Sequence, residues 1–174
     1  MNICGERVIL RAVELHDSAM FLELINDPET ERMLGGGSYP VSEAAQIKWI
    51  GEQQERRDIL RCVIADKESV EDGFGTVILS DIDTKNGVAQ VHIKMTAGSR
   101  GKGYGSDALK TIVKYAFRQL RLHCVFAQVL EYNGVSRRVF EKCGFRNEGR
   151  LRARAYKDGT YVDVFSYSIL NDEI

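Results

Sequence analysis

A glycine-rich basic loop is the segment of this sequence best suited to holding a ligand. It spans Arg100 to Ser106, reads Arg-Gly-Lys-Gly-Tyr-Gly-Ser, and runs directly into a helical pattern of apolar residues. Glycines let backbone N–H groups turn inward and approach a ligand closely, and the N-terminus of the following helix adds a partial positive charge. The spacing indicates a site for a diphosphate, with dinucleotide sites and plain turns as alternatives.

The residues of this loop exclude one class of phosphate site, and its position in the chain disfavours another. A nucleotide-hydrolysing loop needs a Gly-Lys-Ser/Thr ending, which is absent here. A dinucleotide-binding fold places its glycine loop after the first strand, with an acidic residue about 20 residues later. This loop comes late, after several predicted strands, so a dinucleotide-binding protein is the weaker interpretation.

Two residues outside the loop have acid–base potential. His92 follows Gln90 by two residues in a segment whose pattern predicts a strand over 88–95, so both side chains should project from one face of a sheet. The intrinsic pKa of imidazole suits proton acceptance near neutral pH, which makes His92 a candidate general base, with an ordinary strand histidine as the alternative. Glu131 is a second candidate base, with an exposed surface glutamate as its alternative.

The elements that must position these groups alternate between strand and helix patterns. Strands are predicted at 8–10, 61–65, 76–79, 88–95, 125–130, 153–156 and 161–170, with turns at Asp72-Gly73, Asn86-Gly87 and Asp158-Gly159. Helices are predicted after Asp17-Ser18 and ending at Asp27-Pro28, after Ser42, after the glycine loop, and from Asn133 to before Gly144. Gly35-Gly36-Gly37 is predicted to be a loop. This order predicts a mixed α+β sheet.

The bulk properties bound the class of protein. The 174 residues are 44% apolar, which predicts one domain over 1–174 with one substantial core. The 24 basic and 25 acidic residues nearly balance, so no long-range field favours nucleic acid or an anionic membrane. The four cysteines have no metal-ligand spacing, and no apolar run approaches the roughly 20 residues of a membrane span. We expect a cytoplasmic protein with reduced thiols and no metal.

The glycine loop and a later segment together resemble one known family. Arg100, Gly103 and Gly105 match the signature Arg/Gln-x-x-Gly-x-Gly/Ala. A second signature is matched by Asn133-Gly134-Val135-Ser136, Phe140-Glu141-Lys142-Cys143-Gly144-Phe145 and Glu148-Gly149. The chain resembles the GNAT superfamily of N-acetyltransferases, in the RimJ/RimL-like branch that includes ribosomal-protein and polyamine acetyltransferases. The resemblance extends from Arg7 to Asp163, nearly the whole chain.

The resemblance implies a fold and a co-substrate, acetyl-CoA. The fold is the single-domain acyl-CoA N-acyltransferase fold, an α+β fold in which helices flank a mixed, mostly antiparallel central sheet. In this family the pantetheine arm pairs with the fourth strand, which corresponds here to Ile93, Lys94 and Met95. The residues implied at the pyrophosphate are Arg100, Gly101, Lys102, Gly103, Tyr104, Gly105 and Ser106. Asn133 resembles the family asparagine that binds the pantetheine, and it is also suited to cap the next helix.

The chain departs from the family pattern at the catalytic groups. Many members have a tyrosine seven residues after the asparagine to protonate the departing thiolate, but this chain has Phe140, which has no proton to give. Ser136 is the expected substitute, because the ribosomal-protein branch has a serine at this place, and Tyr132 and Tyr104 are weaker alternatives. Polyamine-acetylating relatives have a glutamate where this chain has Gln90, and an amide is not a useful base. A chain of water molecules is a further alternative for the base.

These observations predict an acetyl-CoA-dependent N-acetyltransferase. Its acceptor is expected to be the primary amine of a protein N-terminus, a polyamine or another small molecule. The rival hypothesis is a non-catalytic acyl-CoA-sensing module, which Phe140 and Gln90 motivate. Only the enzyme would release free thiol when an amine is present. We expect no nucleic-acid or membrane partner, and either a monomer or a homodimer.

Overall fold

The computed structural model describes residues 1–34, 39–53 and 58–174, and these form eight strands and five α-helices. The strands are β1 (Ile3–Cys4), β2 (Val8–Arg11), β3 (Leu60–Asp66), β4 (Ser69–Asp83), β5 (Val88–Met95), β6 (Cys124–Leu130), β7 (Arg146–Lys157) and β8 (Thr160–Leu170). The helices are α1 (Ser18–Asn26), α2 (Pro28–Met33), α3 (Glu43–Glu52), α4 (Tyr104–Arg118) and α5 (Gly134–Lys142). Within these ranges, no helix combines the length and apolar character needed to span a bilayer.

The strands form one sheet in the order β1-β2-β3-β4-β5-β6-β8-β7. Every neighbouring pair is antiparallel except β5 and β6, which are parallel. A parallel pair needs a crossover connection, and α4 lies in the segment that joins β5 to β6. The predicted mixed, mostly antiparallel sheet is therefore confirmed.

Helices cover both faces of the sheet. Alternate strand residues point to opposite faces, so apolar residues on both faces pack against helices. Along β3, Cys62 and Ile64 belong to the main core with the buried face of α4, whereas Val63 packs in a second cluster with α1 and α3. The buried face of α4 repeats every three to four residues, as expected for an amphipathic helix. It consists of Ala108, Leu109, Thr111, Ile112, Val113, Ala116 and Phe117.

A buried ion pair fixes the start of α1 to the end of β2. The Arg11 guanidinium donates to both carboxylate oxygens of Asp17, at 2.7 and 2.8 Å, and the side chains are 6% and 1% exposed. Arg11 also donates to the carbonyl oxygens of Val70 and Glu71 on β4. The pair therefore ties β2, β4 and α1 together.

One expected helix end is also a helix start. The sequence predicts that Asp27-Pro28 ends the first helix, and α1 does end at Asn26, but α2 begins immediately at Pro28. The Asp27 carboxylate accepts the backbone N–H groups of Glu29 and Thr30. Proline at the first helical position lacks only an N–H that would have had no intrahelical partner, so this arrangement is favourable.

The expected turn at Asp72-Gly73 is wrong. The chain reverses between β3 and β4 at residues 67 and 68, and Gly73 lies inside β4, opposite Ala65, beside an irregularity in register. A Cβ atom at Gly73 would lie 2.5 Å from Cγ1 of Val63, so close packing explains the glycine. The predicted Gly35-Gly36-Gly37 loop lies outside the described residues.

Candidate functional site

A cleft opens inside the sheet where β5 and β6 separate. Their pairing comprises Val88 with Cys124, Ala89 with Val125 and Gln90 with Phe126. Beyond this point the two strands are not paired with each other, although β5 still pairs with β4 and β6 with β8. The facing edges at 91–95 and 127–130 can therefore accept an extended ligand between them.

The glycine loop lies at the end of β5 and presents free backbone donors. Gly101 and Gly103 have φ angles of 75° and 86°, in the left-handed region that favours glycine. The first helical hydrogen bond of α4 runs from Asp107 N to Gly103 O. Within the described chain, the N–H groups of residues 101–106 donate no hydrogen bond. Three of these donors precede α4 and three lie in its first turn, which is a combination that suits a diphosphate.

Two residues that the sequence did not single out fix this loop. The Asp107 carboxylate accepts the backbone N–H groups of Glu6, Arg7 and Val8, which ties the first turn of α4 to the start of β2. Burial raises the pKa of Asp107, but these hydrogen bonds outweigh it and the pKa is lowered. Arg7 donates to Lys102 O at 2.7 Å and lies over the Tyr104 ring. The signal for Asp107 was its position as an acidic residue in the first helical turn.

Arg100 joins the loop to α2 rather than pointing freely into solvent. Its guanidinium lies 3.3 Å from the Asp27 carboxylate and 3.2 Å from that of Glu29, and it donates to Thr30 Oγ1 at 2.7 Å. It also donates to Met95 O at the end of β5. These contacts hold α2 over the cleft.

The other end of α2 is tied to the second half of the chain. The buried Lys157 ammonium donates to the backbone carbonyl and the carboxylate of Glu31. Tyr132 Oη donates to Arg32 O. We call α2 with Leu34 the roof, since it covers the cleft and contacts the glycine loop, the segment before α5 and the β7–β8 hairpin.

Two cavities meet under the roof. The narrow cavity, about 170 Å³, lies at the end of β5 and is lined by Ile93, Met95, Arg100, Gly105 and Val139, among others. The wide cavity, about 510 Å³, extends from the same place along β5 towards β7. The residues that line both are Met33, Leu34, Lys94, Asn133 and Ser136. Of the fourteen predicted site residues, three lie at this junction and eight line one cavity or the other.

At this junction the Asn133 side chain is hydrogen-bonded, whereas the Ser136 hydroxyl is not hydrogen-bonded to the described residues. Asn133 Oδ1 accepts Ser136 N–H at 3.0 Å, so the predicted N-cap is confirmed, and its Nδ2 donates to Met33 O of the roof. The Ser136 hydroxyl is half-buried and makes no hydrogen bond with the described residues. A free hydroxyl that lines both cavities is available to a ligand.

His92 lines the wide cavity together with Gln90 and Lys94, as the two-residue period of a strand predicts. Ser80 Oγ is 2.9 Å from His92 Nε2 and 3.1 Å from Asp81 Oδ2. A carboxylate only accepts and a serine has one hydroxyl proton, so Ser80 donates to Asp81 and accepts from His92 Nε2–H. The proton-accepting lone pair of His92 is then on Nδ1.

The surroundings of His92 favour its neutral form. Burial lowers the pKa of His92, the charge on Lys94 lowers it further, Asp81 opposes these effects, and Arg61 adds to them. A neutral imidazole at physiological pH is able to accept a proton.

The remaining predicted residues lie apart from the junction. Glu131 is not among the described residues that line either cavity, and its carboxylate accepts Asp163 N–H. Tyr104 Oη donates to Asp66. Lys102 is exposed, whereas Phe140 is buried against Phe145 and Tyr167. Among the described residues, no cluster of three or more His, Cys, Asp or Glu side chains is arranged to hold a metal ion.

The sequence matches a family model over most of its length. Residues 7–146 match the acetyltransferase (GNAT) domain family. The chain is 30% identical over 169 residues to the SPbeta prophage-derived uncharacterized N-acetyltransferase YokL of Bacillus subtilis (strain 168), which covers 97% of this chain and 93% of that protein.

Solved structures of similar shape include two with coenzyme A. The spermidine N-acetyltransferase of Vibrio cholerae, in complex with CoA and spermine, has a TM-score of 0.87 and 25% identity, over 95% of this chain and 96% of that one. RimL, the ribosomal L7/L12 alpha-N-protein acetyltransferase in complex with coenzyme A, has a TM-score of 0.86 and 20% identity, over all of both chains. At that identity, the likeness to RimL concerns the fold.

Proposed function

This chain belongs to the GNAT family and is an acetyl-CoA-dependent N-acetyltransferase, and we propose that its reacting centre is the junction of the narrow and wide cavities. The observation that carries this proposal is that Lys94, Asn133 and Ser136 line both cavities. A co-substrate entering through one cavity and an amine entering through the other would meet there.

The narrow-cavity side suits acetyl-CoA, which supplies the acetyl thioester. The six free N–H groups of residues 101–106 would hold the pyrophosphate, since a helix N-terminus favours an anion. The unpaired edge of β5 at Ile93, Lys94 and Met95 would hold the pantetheine arm like an added strand and polarise the thioester carbonyl. Arg100 would serve mainly to position the loop, because Asp27 and Glu29 neutralise its charge.

Ser136 is the proposed general acid. Its Oγ has no partner among the described residues, so no hydrogen bond within the protein would have to break before it donates to the departing thiolate. Asn133 would position it, because the side chain of Asn133 caps the turn on which Ser136 lies. Tyr104 is less suitable because its hydroxyl already donates to Asp66.

His92 is the proposed general base for the acceptor amine. Its Nδ1 would accept the proton that the attacking amine loses, directly or through one water molecule. Ser80 would hold the Nε2–H tautomer. Glu131 is the weaker candidate, since its carboxylate is engaged with Asp163 N–H outside both cavities.

The function is tested by acetyl-CoA turnover measured as free-thiol release, with the melting temperature recorded with and without CoA. The acceptor panel contains polyamines, aminoglycosides, amino acids and short peptides with free N-termini. Cys4 is an exposed free thiol, so a blank without amine is subtracted. We expect stabilisation by CoA and none by NAD, and thiol release that requires an amine. Stabilisation by CoA without release on any acceptor would favour the non-catalytic acyl-CoA-sensing module.

A further inference from the structure

The wide cavity is lined by cationic groups and, among the described residues, by no carboxylate. Its charged or titratable lining residues are Arg61, His92, Lys94 and Arg154. The other lining residues are apolar or carry neutral amide and hydroxyl groups. The acceptor side of the site is therefore locally positive, although the whole chain has a net charge of −1.

Lys94 is the central cation of this cavity. It lies on β5 between the wide and narrow cavities, and its ammonium makes no ion pair or hydrogen bond with the described residues. Burial lowers the pKa of Lys94, and the positive charge of Arg61 lowers it further. A desolvated cation without a counter-charge is unfavourable, and an anion brought by a ligand would relieve that cost.

Four acidic side chains, Asp27, Glu29, Glu31 and Asp81, are bound to groups other than Lys94. Lys157 binds Glu31, and Arg100 binds Asp27 and Glu29, so these three carboxylates are paired with cations other than Lys94. Asp81 is bound to Ser80 behind His92 and does not line the cavity. The counter-charge of Lys94 is therefore not supplied by these groups.

Arg154 completes the positive lining from the opposite part of the sheet. It lies on β7, is exposed, and has no ion-pair or hydrogen-bond partner among the described residues. Lys94 and Arg154 thus bring two unpaired cations from β5 and β7 to one cavity. Arg61 is held by Gln53 and lies over Trp49, so we treat it as part of the surrounding charge.

We propose, building on the acetyltransferase function above, that the acceptor is a small amine that also carries an acidic group, a carboxylate or a phosphate, and that Lys94 and Arg154 bind this group. The acidic group would anchor the molecule while its amine reaches the junction beside His92. A polyamine would place several positive charges against Lys94 and Arg154, and like charges that face each other disfavour binding.

The first experiment compares acceptors that differ only in the acidic group. Amino acids are compared with their amides, and phosphoethanolamine with ethanolamine, in the free-thiol assay at saturating acetyl-CoA; spermidine represents polyamines. The amine of an amino-acid amide is less basic and so more readily neutral, which alone would make the amide the better acceptor. We expect the opposite, a kcat/KM at least 10-fold higher for the acidic member of a pair. The two pairs distinguish a carboxylate from a phosphate.

The second experiment removes the cations one at a time. Lys94→Met keeps the length of the side chain, and we expect it to lower kcat/KM for the acidic acceptor about 10- to 100-fold, the effect of one charge-assisted hydrogen bond. Lys94→Arg should restore most of the preference. Arg154→Gln should have a smaller effect because Arg154 is exposed. Arg152→Gln is the matched control, since Arg152 is an exposed arginine of the same strand that does not line the cavity.

The outcomes separate this inference from the function on which it rests. If amides, ethanolamine or spermidine are used as well as the acidic amines, the acceptor inference is wrong and the acetyltransferase remains. If Lys94→Met folds, binds CoA and retains the full preference for the acidic acceptor, the assignment to Lys94 is wrong. If CoA raises the melting temperature but no amine releases thiol, the proposed reacting centre fails and this inference fails with it.

Discussion

Replacing Ser136 by alanine tests the proposed reacting centre most directly. The Ser136 hydroxyl has no partner among the described residues and is half-buried, so its removal should change the free energy of unfolding by less than about 0.5 kcal/mol. General acid catalysis contributes roughly 10²- to 10⁴-fold. A thiolate is already a stable leaving group, so we expect the lower end, a fall in kcat of about 10²-fold, or about 2.7 kcal/mol of transition-state free energy.

Asn133→Ala provides the contrasting variant. It removes the cap on Ser136 N–H and the bond to Met33 O, which should cost about 2 kcal/mol of stability. For a chain of this length, that corresponds to a melting temperature about 4–8 °C lower. Ser136→Ala should therefore lower activity and leave stability nearly unchanged, whereas Asn133→Ala should lower both.

The assay is kcat from initial rates of thiol release, with melting temperatures measured on the same preparations. Ser136→Thr retains a hydroxyl and should keep much of the activity that the alanine variant loses. A Ser136→Ala enzyme with kcat within 3-fold of the wild type would refute the proposal that this hydroxyl protonates the thiolate, and water would then be the donor.

Three further predictions concern the base, the fold and the glycine loop. His92→Gln should lower kcat/KM about 10²-fold. Because the pKa of His92 is lowered, protonation of His92 should reduce the wild-type kcat only at acidic pH, with a midpoint below 6.5 that the His92→Gln variant lacks; a midpoint above 6.5 would contradict this. Asp17→Ala should lower the free energy of unfolding by about 3–5 kcal/mol in urea titrations, because it leaves the buried Arg11 charge without its carboxylate partner. A loss under about 1 kcal/mol would contradict a stabilising role for the Arg11–Asp17 ion pair. Gly103→Ala, at a φ of 86°, should weaken the thermal stabilisation by CoA more than the apo stability, and equal losses would indicate a purely structural glycine.

The local elements of this protein could be predicted from its sequence because their signals are local. The amphipathic period of α4, the Asn133 cap and the turn at Asp158-Gly159 are all confirmed. The glycine loop and the later segment from Asn133 to Gly149 were sufficient to identify the fold through the family resemblance. Gly73 was wrongly predicted to lie in a turn, because glycine is required there by close packing against Val63 on the neighbouring strand, which has no local signal in the sequence.

The electrostatics of the site could not be predicted in the same way. The partners of Arg100 lie about 70 residues before it, so its commitment to Asp27 and Glu29 has no local signature. The isolation of Lys94 depends equally on long-range contacts, because it is a property of which carboxylates are occupied elsewhere. The proposed acceptor preference would therefore depend on tertiary contacts, whereas the co-substrate loop is a local sequence motif.

The short pairing between β5 and β6 has a consequence for the dynamics of the protein. In the part of the chain that the structure describes, three residue pairs join the block β1–β5 to the block β6–β8 within the sheet. In native-state hydrogen exchange, the two blocks should behave as partly independent opening units, because few backbone hydrogen bonds cross between them. A ligand lying between the unpaired edges would act as a bridge, so its binding should slow amide exchange in both blocks and make the molecule unfold more cooperatively.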